Sequence, residues 1–191
     1  PLHKKICDFA QECCHKPFDE EDGDDRQWGL LLAPRDGGKS TFFTAGHAIW
    51  VQLLAEREGY PMSIGMAHAL KPKAAKLLGD VKWHWEANEK LKWIAPNLAW
   101  RDPQKEAKLW TKDEFSLVRR RYAREPSYTS FSLEASQVMM HFDIIYLDDI
   151  VIDVTSDTVV VREKVRRFFS ATPALLKGLG WKRVMVAWTR W

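Results

Sequence analysis

The chain has 191 residues, 46% of them hydrophobic and 29% charged, with ten tryptophans and a formal charge of +3. That length suits one large domain with a sizeable core. No apolar run reaches membrane-spanning length and the first residues lack the pattern of a secretory signal, so no membrane partner is expected and the expected setting is cytoplasmic. The mildly basic balance permits nucleic-acid binding without demanding it.

Leu2 to His15 reads as a leading helix that carries all three cysteines, Cys7, Cys13 and Cys14. An odd count with a vicinal pair argues against a disulfide framework. His3 and Cys7, four residues apart, share a helix face, but closed zinc sites usually draw on two separated pairs. The cysteines are therefore read as small packed hydrophobes. Phe18 to Arg26, FDEEDGDDR, is an acidic connector. Residues 1–25 are expected to lead into a core spanning residues 26–191.

Arg26 to Thr41, RQWGLLLAPRDGGKST, carries the first chemical signal. Trp28 to Leu32 reads as a fully buried strand, suited to the middle of a parallel sheet. A helix is predicted from about Ser40. Strand, glycine loop, Lys-Ser and helix together make a phosphate-binding loop. Gly37 and Gly38 let the backbone approach phosphate oxygens with its N–H groups turned inward, at the positive end of the helix. Lys39 is suited to the β and γ phosphates of a nucleotide, and the Ser40 hydroxyl to Mg²⁺. The pattern departs from G-x-x-x-x-G-K-[ST] at its first glycine, where Ala33 stands with Pro34 after it. Taken alone, GGKST also fits an ordinary glycine turn capped by Ser40.

Thr41 to Glu58 has helical periodicity through Phe43, His47, Trp50, Val51 and Leu54, closed by Gly59-Tyr60-Pro61. Met62 to Ala67 reads as another buried strand. Lying between the phosphate-loop strand and a later carboxylate strand, it suggests, by analogy with known folds, the ATPase branch used by helicases and motors. Lys71 to Asp80 and Val81 to Leu91 read as two helices. Lys71, Lys73 and Lys76, with Trp83, Trp85, Trp93 and Trp100 around them, are compatible with a nucleic-acid surface. Core tryptophans and a solvated lysine face are the simpler account.

Ala99 to Lys112 reads as a surface connection, and Phe115 to Arg119 and Tyr128 to Leu133 as strands around the basic run Arg119 to Arg124. Arg119, Arg121 and Arg124 are candidates for an arginine inserted in trans into a neighbour's nucleotide site. A phosphate-binding patch and plain surface charge are the competing readings. His141 to Val151, HFDIIYLDDIV, is the second chemical signal. Ile144 to Leu147 form a buried strand that delivers Asp148 and Asp149 to the carboxyl edge of the sheet, where open α/β sheets bind ligands. Asp148 is suited to sharing Mg²⁺ with Ser40, and Asp149 to polarising an attacking water. A strand ending in an Asp-Asp turn is the plain alternative. Ser156 to Leu176 reads as an amphipathic helix with Arg162, Lys164, Arg166 and Arg167 on its polar side, ended by Gly178 and Gly180. Arg183 to Trp188 is the last strand, and a chain stopping directly after a core strand is expected to belong to something longer.

APRDGGKST, HFDIIYLDDIV and the terminal WTRW, with WTKDEF and REPS between them, resemble the ATPase domain of the large terminase subunit of tailed double-stranded-DNA phages, over roughly Arg26 to Trp191. The resemblance implies an α/β P-loop NTPase of the ASCE type, with a mostly parallel central sheet flanked by helices in three layers. It implies ATP and Mg²⁺ as cofactors and a genome-packaging motor, with double-stranded DNA, the portal protein, the small terminase subunit and other copies of the chain in a ring as partners, in the cytoplasm of the infected host cell. Transferred by position, Ala33, Pro34, Arg35, Asp36, Gly37, Gly38, Lys39, Ser40 and Thr41 form the ATP-binding loop. Arg35 and Lys39 lie by the γ phosphate, Asp148 is on the Mg²⁺ side, Asp149 is the catalytic carboxylate and Thr189 the coupling residue. Gln27 and its neighbours are candidates for holding adenine. Asp149 stands where many members have glutamate, Asp36 where glycine or histidine is frequent, and Trp188 where a glycine often precedes the coupling threonine. The family's carboxy-terminal nuclease domain has no counterpart in this sequence. A helicase or remodelling ATPase shares the loop and the Asp-Asp strand, and a nucleotide-gated assembly module would bind ATP without hydrolysing it.

Overall fold

The structure, a computed structural model, describes residues 2–14, 28–134, 140–152, 158–177 and 181–189. Helix α1 is Leu2–Cys13 and strand β1 is Trp28–Ala33. From Ser40 to Gly46 the chain winds as a π-helix and runs directly into α2, His47–Arg57. Then come β2 (Ile64–His68), α3 (Lys71–Ala87), α4 (Glu89–Ile94), α5 (Pro103–Glu106), β3 (Glu114–Phe115) and β4 (Tyr128–Ser132). The last elements are β5 (Ile144–Asp148), α6 (Val159–Ala171) with a 3₁₀ turn over Thr172–Leu175, and β6 (Arg183–Thr189).

Among the described residues six strands make one sheet in the order β1-β6-β5-β2-β4-β3, parallel except for the short β3. Side-chain alternation divides the core between its two faces. Ile144 and Tyr146 of β5, with Met185 and Ala187 of β6, pack under α1, α2 and α3 through Ile6, Val51, Leu78 and Trp85. Ile145 and Leu147, with Val184 and Val186, pack under Val165 and Phe168 of α6. The chain is therefore an α/β fold of helices on both faces of a mostly parallel sheet. Gly65 of β2 permits the stacking of Phe131 on Phe142, since a Cβ there would lie 2.9 Å from the Phe131 ring.

Several expectations change. The strand Trp28 to Leu32 is not in the middle of the sheet but at its edge, and only one of its faces is buried. Gly29 packs on Cys13 and Met185, while Leu30 and Leu32 are 54% and 56% exposed. An unbroken apolar run does not distinguish an edge strand from a central one. The strand beside β1 is β6, so β6, rather than the strand over Met62 to Ala67, separates the phosphate-loop strand from the carboxylate strand. Lys71 to Leu91 is not divided at Asp80: the stripe Ala74, Leu77, Leu78, Val81 and Trp85 continues through one helix, α3. The break falls at Asn88, whose side chain accepts from the Leu91 N–H and caps α4. Of the expected strand Phe115 to Arg119 only Phe115 lies in the sheet, paired within β3, because the Leu117 and Val118 N–H groups go to Ser127 Oγ and Leu98 O instead. The segment Ala99 to Lys112 includes α5, and its Trp110 packs on Phe115. Cys14 is buried and Cys13 packs on Gly29, as small hydrophobes do. The acidic connector, His15, Gln27, Gly178 and Gly180 lie outside the described residues.

Buried polar groups fix the edge of the sheet remote from the carboxyl ends of the strands. Asp143 accepts from the Ser63 N–H at 2.7 Å and Lys177 Nζ at 2.8 Å, and also from the Tyr60 hydroxyl. On the opposite side of β5, His47 Nδ1 meets the Tyr146 hydroxyl at 2.6 Å. Burial pushes the His47 pKa down to about 3. The unfolded chain therefore binds the extra proton at higher pH than the folded chain, and stability is full above about pH 6.5 and falls as pH drops towards 3. We expect urea unfolding to show a loss from this group of about 2 kcal/mol by pH 5. His47→Leu should have a shallower pH slope than the wild type, and equal slopes would refute the assignment.

Candidate functional site

Parallel strands β1, β6 and β5 end at the same edge, where the two chemical segments of the sequence meet. The turn after β1 closes with the Gly37 N–H donating to Pro34 O at 3.3 Å, and it passes through left-handed backbone at Asp36 (φ 58°) and Gly38 (φ 74°). Aspartate tolerates that region better than most residues. Position 38 requires glycine on two counts, since a Cβ there would also sit 2.8 Å from the Phe42 ring. Phe42 is held in turn by its N–H, which donates to Gly38 O at 2.8 Å.

Lys39 is buried, and its Nζ donates at 2.7 Å to both Asp148 Oδ1 and Asp149 Oδ2. Burial opposes the lysine's charge, but the two carboxylates outweigh it and raise its pKa above the ordinary value. Thr44 Oγ1 donates to the second Asp148 oxygen at 3.3 Å. Asp149 sits in left-handed backbone at φ 44°, with its N–H bonded to Ala187 O and its carbonyl accepting from the Ala69 N–H. Its side chain is gripped from β6: Asp149 Oδ1 accepts from the Thr189 N–H and from Thr189 Oγ1, both at 3.1 Å.

Above this cluster lies a cavity of about 680 Å³, walled by Pro34 to Thr41 and by Asp149, Val151, Ile152 and Thr189. Every residue of the anticipated loop from Pro34 to Thr41 lines it, and Ala33 is buried directly beneath at the end of β1. Arg35, Asp36 and Thr41 are exposed at its mouth. Asp148 lies below, bonded to Lys39.

The donor set fits a magnesium ion that arrives with phosphates. Among the described residues no group of three or more His, Cys, Asp or Glu side chains is placed to hold a metal alone. One carboxylate and one hydroxyl, from Asp148 and Ser40, match an ion that keeps waters and takes its remaining ligands from substrate oxygens. A cation already sits between the two carboxylates, in the form of the Lys39 ammonium.

Two residues here escaped the sequence reading. Thr44 is one helical turn beyond Ser40, a spacing that could have flagged it. His68 ends β2 opposite Asp148 in parallel register, a relation that only strand pairing reveals. Burial lowers the His68 pKa, against the pull of Asp148 and Asp149 and with the help of Lys39 and Lys73.

Arg119 is not with these residues. It donates to Met62 O at 2.6 Å and to Glu125 O, at the start of β2 rather than its end, and burial lowers its pKa to about 10. It is a structural pin, whereas Arg121 and Arg124 are exposed.

Removing Lys39 strands a buried carboxylate. Lys39→Met should therefore destabilise the ligand-free protein by about 3 kcal/mol at pH 7, and adding Asp148→Asn should recover a large part. Urea midpoints of the two variants measure this, and additive losses would contradict the pairing. No protein-family model and no curated protein sequence matches this chain.

Proposed function

We propose that this protein hydrolyses ATP at the loop between β1 and α2, and that it is the motor ATPase of a double-stranded-DNA packaging machine. The observation that carries the reading is the direct contact of Lys39 with Asp148 and Asp149 across 109 and 110 residues of sequence, under a cavity lined by the whole glycine loop. The position of β6 between β1 and β5 supports a P-loop NTPase of the ASCE type. DNA, the portal, the small terminase subunit, a ring of like subunits and the infected-cell cytoplasm follow from the terminase resemblance. Of the described chain, no helix is long and apolar enough to cross a membrane.

Each residue has a task set by its chemistry. Ser40 and Asp148 would hold Mg²⁺, which would supply positive charge to offset that of the bound phosphates. Lys39 exchanges its carboxylates for phosphate oxygens, and Arg35 at the cavity mouth adds charge to the developing transition state. Asp149 orients the attacking water and accepts its proton. Water oxygen forms the new bond to the γ phosphorus, and the bond to the bridging oxygen breaks with its electron pair left on ADP. Thr189 ties that carboxylate to β6, which makes it a coupling element between the chemistry and the sheet. An arginine from a neighbouring subunit falls to Arg121 or Arg124, because Arg119 is committed to backbone carbonyls.

Lys39→Ala should abolish turnover. Asp149→Asn should bind ATP within a few-fold of wild type yet lose 10²-fold or more in kcat, about the scale set by removing one group that acts in the transition state. Steady-state phosphate release together with equilibrium ATP binding separates the two, and undiminished turnover by Asp149→Asn would overturn the assignment.

A further inference from the structure

A second cavity, of about 460 Å³, opens beside the carboxylate pair. It shares Ser40, Asp149 and Ile152 with the phosphate-loop cavity, and His68, Lys73 and Lys76 form part of its own wall. His68 is level with Asp148 through the parallel register of β2 and β5. The Leu70 N–H donates to His68 Nδ1 at 3.0 Å, so the neutral ring carries its hydrogen on Nε2 and presents a donor there. Lys73 and Lys76 are three residues apart on α3 and lie on one face of it. Of the carboxylates that also line the space, Asp148 and Asp149 are bonded to Lys39, and Asp80 follows Lys76 by one helical turn. An imidazole N–H and two ammonium groups around a water-accessible space suit a small oxyanion with several acceptor oxygens.

We propose that this cavity binds inorganic phosphate, taking up the group cut from ATP and passing it to solvent by a route separate from that of the nucleotide. The source of the phosphate rests on the ATPase reading above; the binding site itself depends on His68, Lys73 and Lys76. The two cavities meet at Asp149, so the group detached beside that carboxylate has donors on the α3 side to move to while ADP remains on the glycine loop.

The test is calorimetric titration of inorganic phosphate into the full 191-residue chain without nucleotide. Lys73→Ala/Lys76→Ala and His68→Ala should each weaken binding about tenfold or more, in line with loss of charge-assisted hydrogen bonds. Lys73→Arg/Lys76→Arg should restore it, and unfolding midpoints identify any variant that fails to fold. Phosphate affinity that is unchanged in both alanine variants, or absent in the wild type, overturns the site. A short DNA duplex that needs the same residues while free phosphate does not bind assigns the cavity to a nucleic-acid backbone and overturns it as well. With ATP, release followed by a fluorescent phosphate sensor should lag behind bond cleavage in a quenched time course, with a longer lag in Lys73→Ala/Lys76→Ala. A wild-type chain that binds phosphate through these residues but cleaves no ATP keeps the site and removes the motor reading.

Discussion

The Lys39 ammonium, sandwiched between Asp148 and Asp149, is the interaction on which the site depends. Two carboxylates at the end of a buried strand repel each other and lose solvation, and one shared cation removes both problems. The pairing also ties the turn after β1 to the end of β5, so loop and sheet edge hold a common geometry before any ligand arrives. On the proposed reading the same pairing sets the order of events. The lysine can turn to phosphate oxygens only when another cation replaces it at the carboxylates, which links metal and nucleotide binding.

That geometry requires the strand order observed. β6 lies between β1 and β5, so the end of the last strand reaches Asp149 through both the backbone and the hydroxyl of Thr189. A shift of β6 along its neighbours would be transmitted to the carboxylate without passing through any loop. On the other flank β2 brings His68 level with Asp148. The carboxylate strand is thus bracketed at its functional end by a threonine and a histidine, each supplied by a neighbouring strand. At the remote edge, Asp143 and Arg119 tie Tyr60, Ser63 and Lys177 together and fix where the strands begin.

What the sequence determined by itself is local chemistry. GGKST announced a glycine turn leading into a helix, because paired glycines interrupt regular structure and leave the backbone free to turn. IIYLDD announced a buried strand with acids at its end. From those two segments the α/β class and half of the cavity wall could be anticipated.

Tertiary structure decided everything that depends on which element lies beside which. An apolar run such as Trp28 to Leu32 has the same sequence signature in the middle of a sheet and at its edge, because burial is a property of neighbours. The arginines 119, 121 and 124 looked equivalent until the backbone carbonyls of Met62 and Glu125 claimed the first. His68 carried no signal at all, as its place opposite Asp148 is a consequence of strand register. Residue type sets which interactions are available to a side chain, and only the packed chain sets the distances that make them real.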